Sequence, residues 1–286
     1  MLRISSAASG EEVAALNSGD FEAMVGERGS TVGSLKHYLA QRHFRKTFSR
    51  FQLRILREGD SSELGDDETI SLPLDLQVIC MKLLPHDEER DEGFFGSCED
   101  GDLGGVERCL KACQDPNVIG CGCNGFVSSI SPLIIAVFQA HLEVVRLLLE
   151  AQADVNWQSD GVHWHGSALH MAAQRGHSKV ARLLLDYGAP INALDGRKRT
   201  RPLHLAAENG HLEVVRLLLA SQADQEAEDD LGRRPLHLAA MRGEPDIVQL
   251  LLQSGADREK MDETGKTAMQ YASQNGHFAA QELFSR

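Results

Sequence analysis

Three histidines recur at one position of a repeating pattern, and imidazole is a side chain that can bind metals or transfer protons. His170, His204 and His237 lie 34 and 33 residues apart. This spacing places them in equivalent but separate units, and no Asp or Ser stands where it would complete a catalytic triad. We therefore predict that each histidine makes a structural hydrogen bond near the start of a helix.

Cysteine thiols are the second group with metal-binding chemistry, and the chain has six cysteines. Cys121 and Cys123 are separated by a single residue, whereas structural zinc sites favour a gap of about two, and no second Cys or His pair follows at a suitable distance. Reduced thiols in the core or in loops are the favoured interpretation. A metal site at Cys121 and Cys123 is the alternative, and we predict no cofactor.

The run Gly-Val-His-Trp-His-Gly at 161–166 is a third candidate, because it lies in a lengthened hairpin tip. Exposed aromatic residues dominate binding hot spots, and Trp164 is one of two tryptophans. Two interpretations are equally favoured: Trp164 beside His163 anchors a partner, or Trp164 and Trp157 fold back onto the next helix pair. Metal binding by His163 and His165 is a further alternative.

An internal repeat indicates the elements that must position these residues. Similar four-residue openings occur at 131–134, 167–170, 201–204, 234–237 and 267–270. Leucine triplets recur in step with them at 147–149, 183–185, 217–219 and 250–252. The first two openings are 36 residues apart, and the later spacings are 33 or 34. A regular period of this length is typical of stacked structural units.

Each repeat predicts two antiparallel helices joined by a tight turn. Pro202 suits the first turn of a helix, where its missing N–H leaves no hydrogen bond unmade. The pair Ala206–Ala207 lets a neighbouring helix approach closely, and Gly210 ends the helix so that the chain can reverse. Residues 212–220 then carry apolar side chains at helical spacing. One unit cannot bury its own apolar stripe, so neighbouring units must stack.

These features resemble the ankyrin family, whose repeat is about 33 residues long and opens with Thr-Pro-Leu-His. The resemblance covers residues 93–286 and gives about six repeats, of which the first is degenerate and the last is polar enough to form a cap. Gln152 and Gln222 stand where the family has a helix-ending glycine, so those turns should be softer. Arg201 and Arg234 replace a threonine that can bond the histidine of a neighbouring repeat, which leaves part of that network open.

The first 85 residues have a different pattern, in the order strand, strand, helix, strand, strand. The order resembles the ubiquitin-like β-grasp family, and conjugation is not implied because no Gly-Gly closes the region. The predicted fold class is α+β. We expect a ubiquitin-like β-grasp domain at 1–85, an acidic solvated linker at 86–92 and an all-α ankyrin-repeat solenoid at 93–286.

The ankyrin resemblance also implies a binding face, because partners in this family commonly lie against the finger tips and the inner helices. Matching positions give the predicted partner-binding residues: His163, Trp164, Arg175, Arg197, Arg199, Arg233, Met241, Arg242 and Lys266. Their basic density in an acidic protein favours a partner with an acidic segment. An ordinary solvated face is the alternative.

The formal net charge of −13 repels phosphate backbones and argues against nucleic acid as the partner. The basic run from Arg42 to Arg57 offers contact with RNA or acidic lipid as an alternative, although a charged domain surface is the simpler interpretation. No segment reaches the roughly 20 consecutive apolar residues of a membrane span, and residues 1–10 lack a signal-peptide pattern. We expect a monomer inside the cell, in the cytoplasm or the nucleus.

An enzyme within residues 1–90 is disfavoured, since phosphate-binding, nucleophile and paired-ligand motifs are missing there. The sequence therefore predicts a non-catalytic adaptor or scaffold whose ankyrin array binds a partner protein through hairpin fingers and inner helices. Two modules in one chain suit bridging between two proteins. The alternative is a regulatory or inhibitory subunit that occludes an enzyme.

Overall fold

The computed structural model describes residues 2–6, 12–16, 31–42, 53–57, 65–66, 74–80, 88–112, 114–122, 126–159 and 166–285. They belong to two compact units. The first comprises residues 1–94, 103–116 and 150–153, and the second comprises the rest of the chain.

A four-stranded sheet forms the centre of the first unit, and its described strands are β1 (Leu2–Ser6), β2 (Glu12–Leu16), β3 (Leu53–Arg57) and β4 (Leu74–Cys80). Their order across the sheet is β2-β1-β4-β3. The central pair β1 and β4 is parallel, whereas β1–β2 and β3–β4 are antiparallel. Helix α1 (Val32–Arg42) lies between β2 and β3 in the chain. Within the described residues, these elements follow the predicted order of strands and helix.

Helix α1 contributes a fully buried apolar stripe to this unit. Val32, Leu35 and Leu39 are spaced by three and four residues, so they share one face of the helix, and all three are fully buried. The α1 helix contacts β3, where Leu53 and Ile55 are also fully buried. Alternate residues of a strand face the same side of a sheet, so both side chains point to one core.

An ion cluster formed by a buried lysine, a part-buried aspartate and a more exposed lysine ties three segments of the first unit together. Lys36 Nζ on α1 lies 2.7 Å from Asp66 Oδ1, and Lys111 Nζ, at the end of α3 (Leu103–Lys111), lies 3.2 Å from Asp66 Oδ2. Burial alone raises the pKa of Asp66, but the bonds and charges of the two lysines outweigh it and lower that pKa. Helix α3 is therefore fixed to the N-terminal sheet unit by charge.

The acidic segment predicted as a solvated linker at 86–92 differs from that expectation over its described part. Helix α2 (Glu88–Asp100) begins within it. Asp91 is 3 % exposed, and its carboxylate accepts a hydrogen bond from the side chain of Gln114. Because Asp91 has a polar partner, the cost of burying its carboxylate is offset, and the acidic run continues as a helix.

Five helix pairs make up most of the described part of the second unit. They are α4 (Pro132–Phe138) with α5 (Leu142–Glu150), α6 (Ala168–Arg175) with α7 (Ser178–Asp186), α8 (Pro202–Glu208) with α9 (Leu212–Ala220), α10 (Pro235–Arg242) with α11 (Pro245–Gln253), and α12 (Ala268–Gln274) with α13 (Phe278–Phe284). The first helices of successive pairs contact each other from α4 to α12, and the second helices do so from α7 to α13. With α2 and α3, the described residues contain six consecutive pairs, as predicted.

The residues that begin and end these helices behave as the repeat predicts. Pro202 is the first residue of α8, and Ala206 and Ala207 are fully buried where neighbouring first helices meet. Gly210 has a φ of 77°, a left-handed conformation that lets the chain reverse. In the α4–α5 pair Ala140 takes the equivalent place with a φ of 62°.

The two glutamines expected to weaken the turns after second helices do adopt the strained conformation. Gln152 and Gln222 have φ values of 69° and 67°, and Gly188 and Gly255 occupy the same position after α7 and α11. A non-glycine residue in this region costs roughly 1–2 kcal/mol. Glutamine thus adopts the conformation of the family's glycine at these two turns, and their expected softness stays a prediction.

Two hairpins lengthen the connections that precede α4 and α6. Strands β5 (Gly120–Gly122) and β6 (Phe126–Ile130) pair antiparallel, as do β7 (Gln158–Ser159) and β8 (Gly166–Ser167). Paired strands therefore flank both connections, whose tip residues 123–125 and 160–165 lie outside the described residues. Among the described residues, no helix combines the length and apolar character that crossing a bilayer requires.

Candidate partner-binding site

The three motif histidines join each helix pair to the next one. His204 Nδ1 accepts the backbone N–H of Arg201 at 3.2 Å, and its Nε2–H donates to the carbonyl of Ala227 at 3.0 Å. His170 and His237 make the equivalent bonds. Burial lowers the pKa of each imidazole and so favours the neutral ring that this pattern needs. The predicted structural role is confirmed.

The arginines that replace threonine leave this network intact, because the donor to histidine is the backbone N–H of Arg201 and Arg234. Their side chains are used elsewhere. Arg201 Nη1 donates to Asp224 Oδ2 at 2.7 Å, and Arg234 Nε lies 3.2 Å from Glu226 Oε2. The substitution therefore adds ion pairs to the turns and keeps the backbone bond to each histidine, but it lacks the hydroxyl contact that Ser167 Oγ makes with His170 Nδ1 at 3.0 Å.

A second series of histidines, which sequence reasoning missed, links the same units in the opposite direction. His211, directly before α9, donates from Nε2 to the carbonyl of Gln174 at 2.9 Å, and His277 donates to Met241 at 3.1 Å. His141 and His177 stand at the equivalent places. A Cβ on Gly176 would lie 2.6 Å from His211 Nδ1, so the glycine leaves room for the imidazole. Each such histidine directly follows the turn residue at the repeat period, a signal that the sequence did contain.

The turns between helix pairs project as fingers, and an aspartate organises each of the three whose tips are fully described. Asp195 Oδ1 accepts the backbone N–H groups of Arg197, Lys198 and Thr200 at 3.0 to 3.2 Å. Asp229 and Asp262 do the same in the next two fingers. The pKa of Asp262 falls to about 2, because its many hydrogen bonds outweigh the opposing effect of burial.

Neighbouring fingers are also bonded to one another. The N–H of Asp230 donates to the carbonyl of Lys198 at 2.8 Å, and the N–H of Glu263 donates to the carbonyl of Leu231 at 3.0 Å. Each tip is therefore held both by its own aspartate and by the next finger. A surface fixed in this way loses little conformational entropy when it binds.

The described fingers and first helices enclose a groove of about 540 Å³, here called the basic groove. Its charged lining residues are Arg197, Lys198, Arg233, Arg242, Asp195 and Glu208. Cations outnumber carboxylates by four to two, in a chain whose formal net charge is −13. The carboxylate of Asp195 is already occupied by its own turn, so the groove presents mainly positive charge.

Comparison with known proteins agrees with this geometry. The family model described as ankyrin repeats (3 copies) matches residues 95–195, 133–229 and 203–286, which together span about two-thirds of the chain. The chain belongs to the ankyrin-repeat family. It is also 37 % identical over 70 residues to an ankyrin repeat protein of Acanthamoeba polyphaga mimivirus. That match covers 24 % of this chain and 41 % of the viral protein, well under two-thirds of the relative's length.

The structure brings together part of the predicted ankyrin binding set. Arg197, Arg233 and Arg242 line the basic groove. Arg175, Arg199, Met241 and Lys266 lie outside its lining, and His163 and Trp164 lie outside the described residues. Lys198, Glu208 and Asn209 complete the groove beside the predicted arginines. The ankyrin repeats at α6, α8 and α10, with their fingers, therefore build the site that the structure describes.

Most of the predicted cations have a partner within the ankyrin array. Arg233 Nη2 lies 2.7 Å from Asp229 Oδ2, and Arg242 Nη2 lies 2.7 Å from Glu208 Oε1. The Arg175 guanidinium carbon is 3.9 Å from the centre of the Phe138 ring. Lys266 Nζ donates to Gln274 Oε1 at 3.1 Å. These side chains are held in place by their own repeat or by a neighbour.

The tip of the finger that Asp195 organises differs from this pattern. Arg197, Lys198 and Arg199 are exposed, and within the described part of the chain none of their side chains has an ion pair. Arg199 also has a φ of 53°, in the position that Gly232 and Gly265 occupy with φ values of 70° and 77° in the next fingers. A left-handed arginine therefore stands in a cluster of three exposed cations that have no ion pair within the described residues.

Metal chemistry has little support in the residues that can be described. Across the described ranges, no group of three His, Cys, Asp or Glu side chains could hold a metal ion. The candidate ligands Cys123, His163 and His165 lie outside those ranges, and the side chain of Cys121 is not described either. The motif histidines His170, His204 and His237 use both ring nitrogens, Nδ1 within their own repeat and Nε2 toward the next one.

Proposed function

We propose that the protein is a non-catalytic adaptor or scaffold whose ankyrin array binds a partner protein along the fingers and first helices. The main support for this proposal is the basic groove. Three successive repeats contribute its walls, and its charge is opposite in sign to that of the whole chain. Ankyrin repeats are generally protein–protein interaction modules, which supports a binding role. Charge complementarity favours a partner segment rich in Asp and Glu.

A ubiquitin-like β-grasp domain at 1–85 is the second part of the proposal. It is supported by the mixed sheet of order β2-β1-β4-β3 and by a helix between β2 and β3 in the chain. In this proposal the sheet unit meets one protein while the array holds another. The monomeric state and the intracellular location stay predictions.

Affinity capture with matched full-length variants tests the proposal. In the groove variant, Arg197, Lys198 and Arg242 are changed to Glu, which reverses charge on three lining residues. In the control variant, the exposed residues Arg182 and Arg216 on second helices are changed to Glu. We expect the groove variant to lose a set of crosslinked proteins that the wild type and the control variant retain, as identified by mass spectrometry.

The outcomes separate the competing functions. If both variants capture the same set as the wild type, the groove is not the binding site and the proposal fails. Proteins retained by the groove variant and crosslinked to residues 1–85 support bridging by two modules. If the lost set is a single enzyme whose activity the wild-type chain suppresses, the protein is an inhibitory subunit and not an adaptor.

A further inference from the structure

The available charge on the ankyrin face is concentrated at one finger tip. Arg233 and Arg242 already pair with Asp229 and Glu208, so a ligand must compete with those carboxylates for them. The tip formed by Arg197, Lys198 and Arg199 has no such competitor in the described part of the chain. We propose that Arg199, flanked by these two cations, is the specificity-determining contact for an extended, carboxylate-rich segment of a partner protein. This inference rests on the proposed function.

The tip is organised before any ligand arrives. Asp195 Oδ1 accepts the N–H groups of Arg197, Lys198 and Thr200, and the Thr200 hydroxyl donates to the other carboxylate oxygen. On its far side the tip is fixed by the bond from Asp230 N–H to the Lys198 carbonyl. Only the long side chains remain to be ordered, so little binding free energy is spent on the backbone.

The strained backbone conformation of Arg199 supports a role for its side chain in binding. Counting back from the first residue of each helix, Arg199 stands three residues before Pro202, as Gly232 stands before Pro235. All such described positions of the last three fingers are left-handed, and only here is the residue not glycine. Glycine would relieve the strain, but it would remove the guanidinium. Strain of this kind is kept where the rest of the structure imposes it, and it clusters at ligand-binding sites.

Charge also selects among anionic ligands. A nucleic acid carries a dense row of phosphates, and the long-range field of a chain of charge −13 opposes its approach. A short acidic peptide meets the local surface of the groove, where four cations outnumber two carboxylates and where Arg197 and Lys198 have no ion pair within the described residues. Carboxylates can bind the planar guanidinium forks of Arg197 and Arg199 with two parallel hydrogen bonds. A peptide ligand is therefore the class that the surface fits.

Binding of defined peptides to the full chain tests this inference. The probes are a fluorescein-labelled peptide of alternating Glu and Gly, its counterpart with Gln in place of Glu, and a labelled single-stranded oligonucleotide. Fluorescence anisotropy at low and at high salt measures affinity. We expect the Glu peptide to bind at low salt, to weaken as salt screens the charges, and to bind more tightly than the other two probes.

The decisive variant is Arg199→Gly, because it moves affinity and stability in opposite directions. We expect its affinity for the Glu peptide to fall by about two- to fivefold, while its Tm rises by about 2 °C as the backbone strain is relieved. Arg199→Lys should keep most of the affinity without the rise in Tm. The control Arg182→Ala removes an exposed arginine from a second helix and should leave affinity unchanged.

Several results would overturn the inference. An Arg199→Gly variant that is more stable but binds the Glu peptide as well as the wild type shows that the guanidinium is not used. A lower Tm for this variant shows that Arg199 has a structural role, and tighter binding of the oligonucleotide shows that the ligand class is wrong. If the wild type ignores the Glu peptide while groove variants still lose captured proteins, this inference fails and the proposed function stands.

Discussion

The substitution Gln222→Gly should stabilise the protein, although it removes a side chain. Gln222 follows α9 with a φ of 67°, and a non-glycine residue in this conformation costs roughly 1–2 kcal/mol. The side chain is exposed, and the N–H that donates to the Leu219 carbonyl at 3.0 Å is retained by glycine. Glycine also makes the unfolded chain more flexible, which costs about 0.4–1 kcal/mol. The expected net gain is about 0.5–1 kcal/mol in the free energy of unfolding.

Urea unfolding followed by circular dichroism measures this gain, with a thermal scan that should show Tm rising by about 2 °C. The matched control is Gly188→Ala. Gly188 occupies the same turn position after α7 with a φ of 86°, and a Cβ there would meet no atom within 4 Å. Its replacement should lower stability by about 1 kcal/mol for conformational reasons alone. If Gln222→Gly is neutral or destabilising while Gly188→Ala destabilises as expected, the strain assigned to Gln222 is wrong.

Three further predictions follow from buried contacts. Burial lowers the pKa of the motif histidines, so the unfolded chain binds protons at these residues at a higher pH than the folded chain does. The free energy of unfolding should therefore decrease as the pH is lowered below 6.5, and urea midpoints at several pH values will measure this decrease. The change Asp66→Asn leaves Lys36, 5 % exposed, without its counter-charge and should lower the free energy of unfolding by about 3 kcal/mol. As a control in the same urea titration, Glu213→Gln in an exposed ion pair should lower it by under about 0.5 kcal/mol. The change Gly176→Ala combines a φ of 76° with a clash against His211, so its Tm should fall by more than that of Gly188→Ala.

The repeat period made much of the ankyrin region predictable. Equivalent positions of successive repeats adopt the same local conformation. The position of Pro202, the small pair after it and the left-handed Gln222 could therefore all be predicted from the aligned units. The second series of histidines at His211 and His277 was equally available, because each follows a turn glycine at the same period. The prediction covered only the histidines at the fourth position of each repeat opening.

Features that depend on distant partners were not predictable in this way. The acidic run containing Asp91 resembles a linker in sequence. Its burial depends on Gln114, 23 residues later, whose hydrogen bond offsets the cost of burying the Asp91 carboxylate. Among the basic residues of the binding face, sequence could not separate Arg242, which pairs with Glu208 from the preceding repeat, from Arg197, which stays available. Long side chains choose their partners in three dimensions, so charge counted along the chain overstates the charge presented to a ligand.

The joints between repeats have a consequence for how this protein can change in length. The joints draw on one set of donors and acceptors: a histidine reaches forward to the next finger from α6, α8 and α10, and a finger N–H meets the carbonyl beside it in the last three fingers. Another histidine reaches back to the preceding helix from the residue before α5, α7, α9 and α13, whereas Glu244 stands at that place before α11. A whole repeat that is duplicated or deleted would present matching groups to both neighbours, whereas a partial repeat would leave them unmatched. The array is thus built to grow or shrink in complete steps.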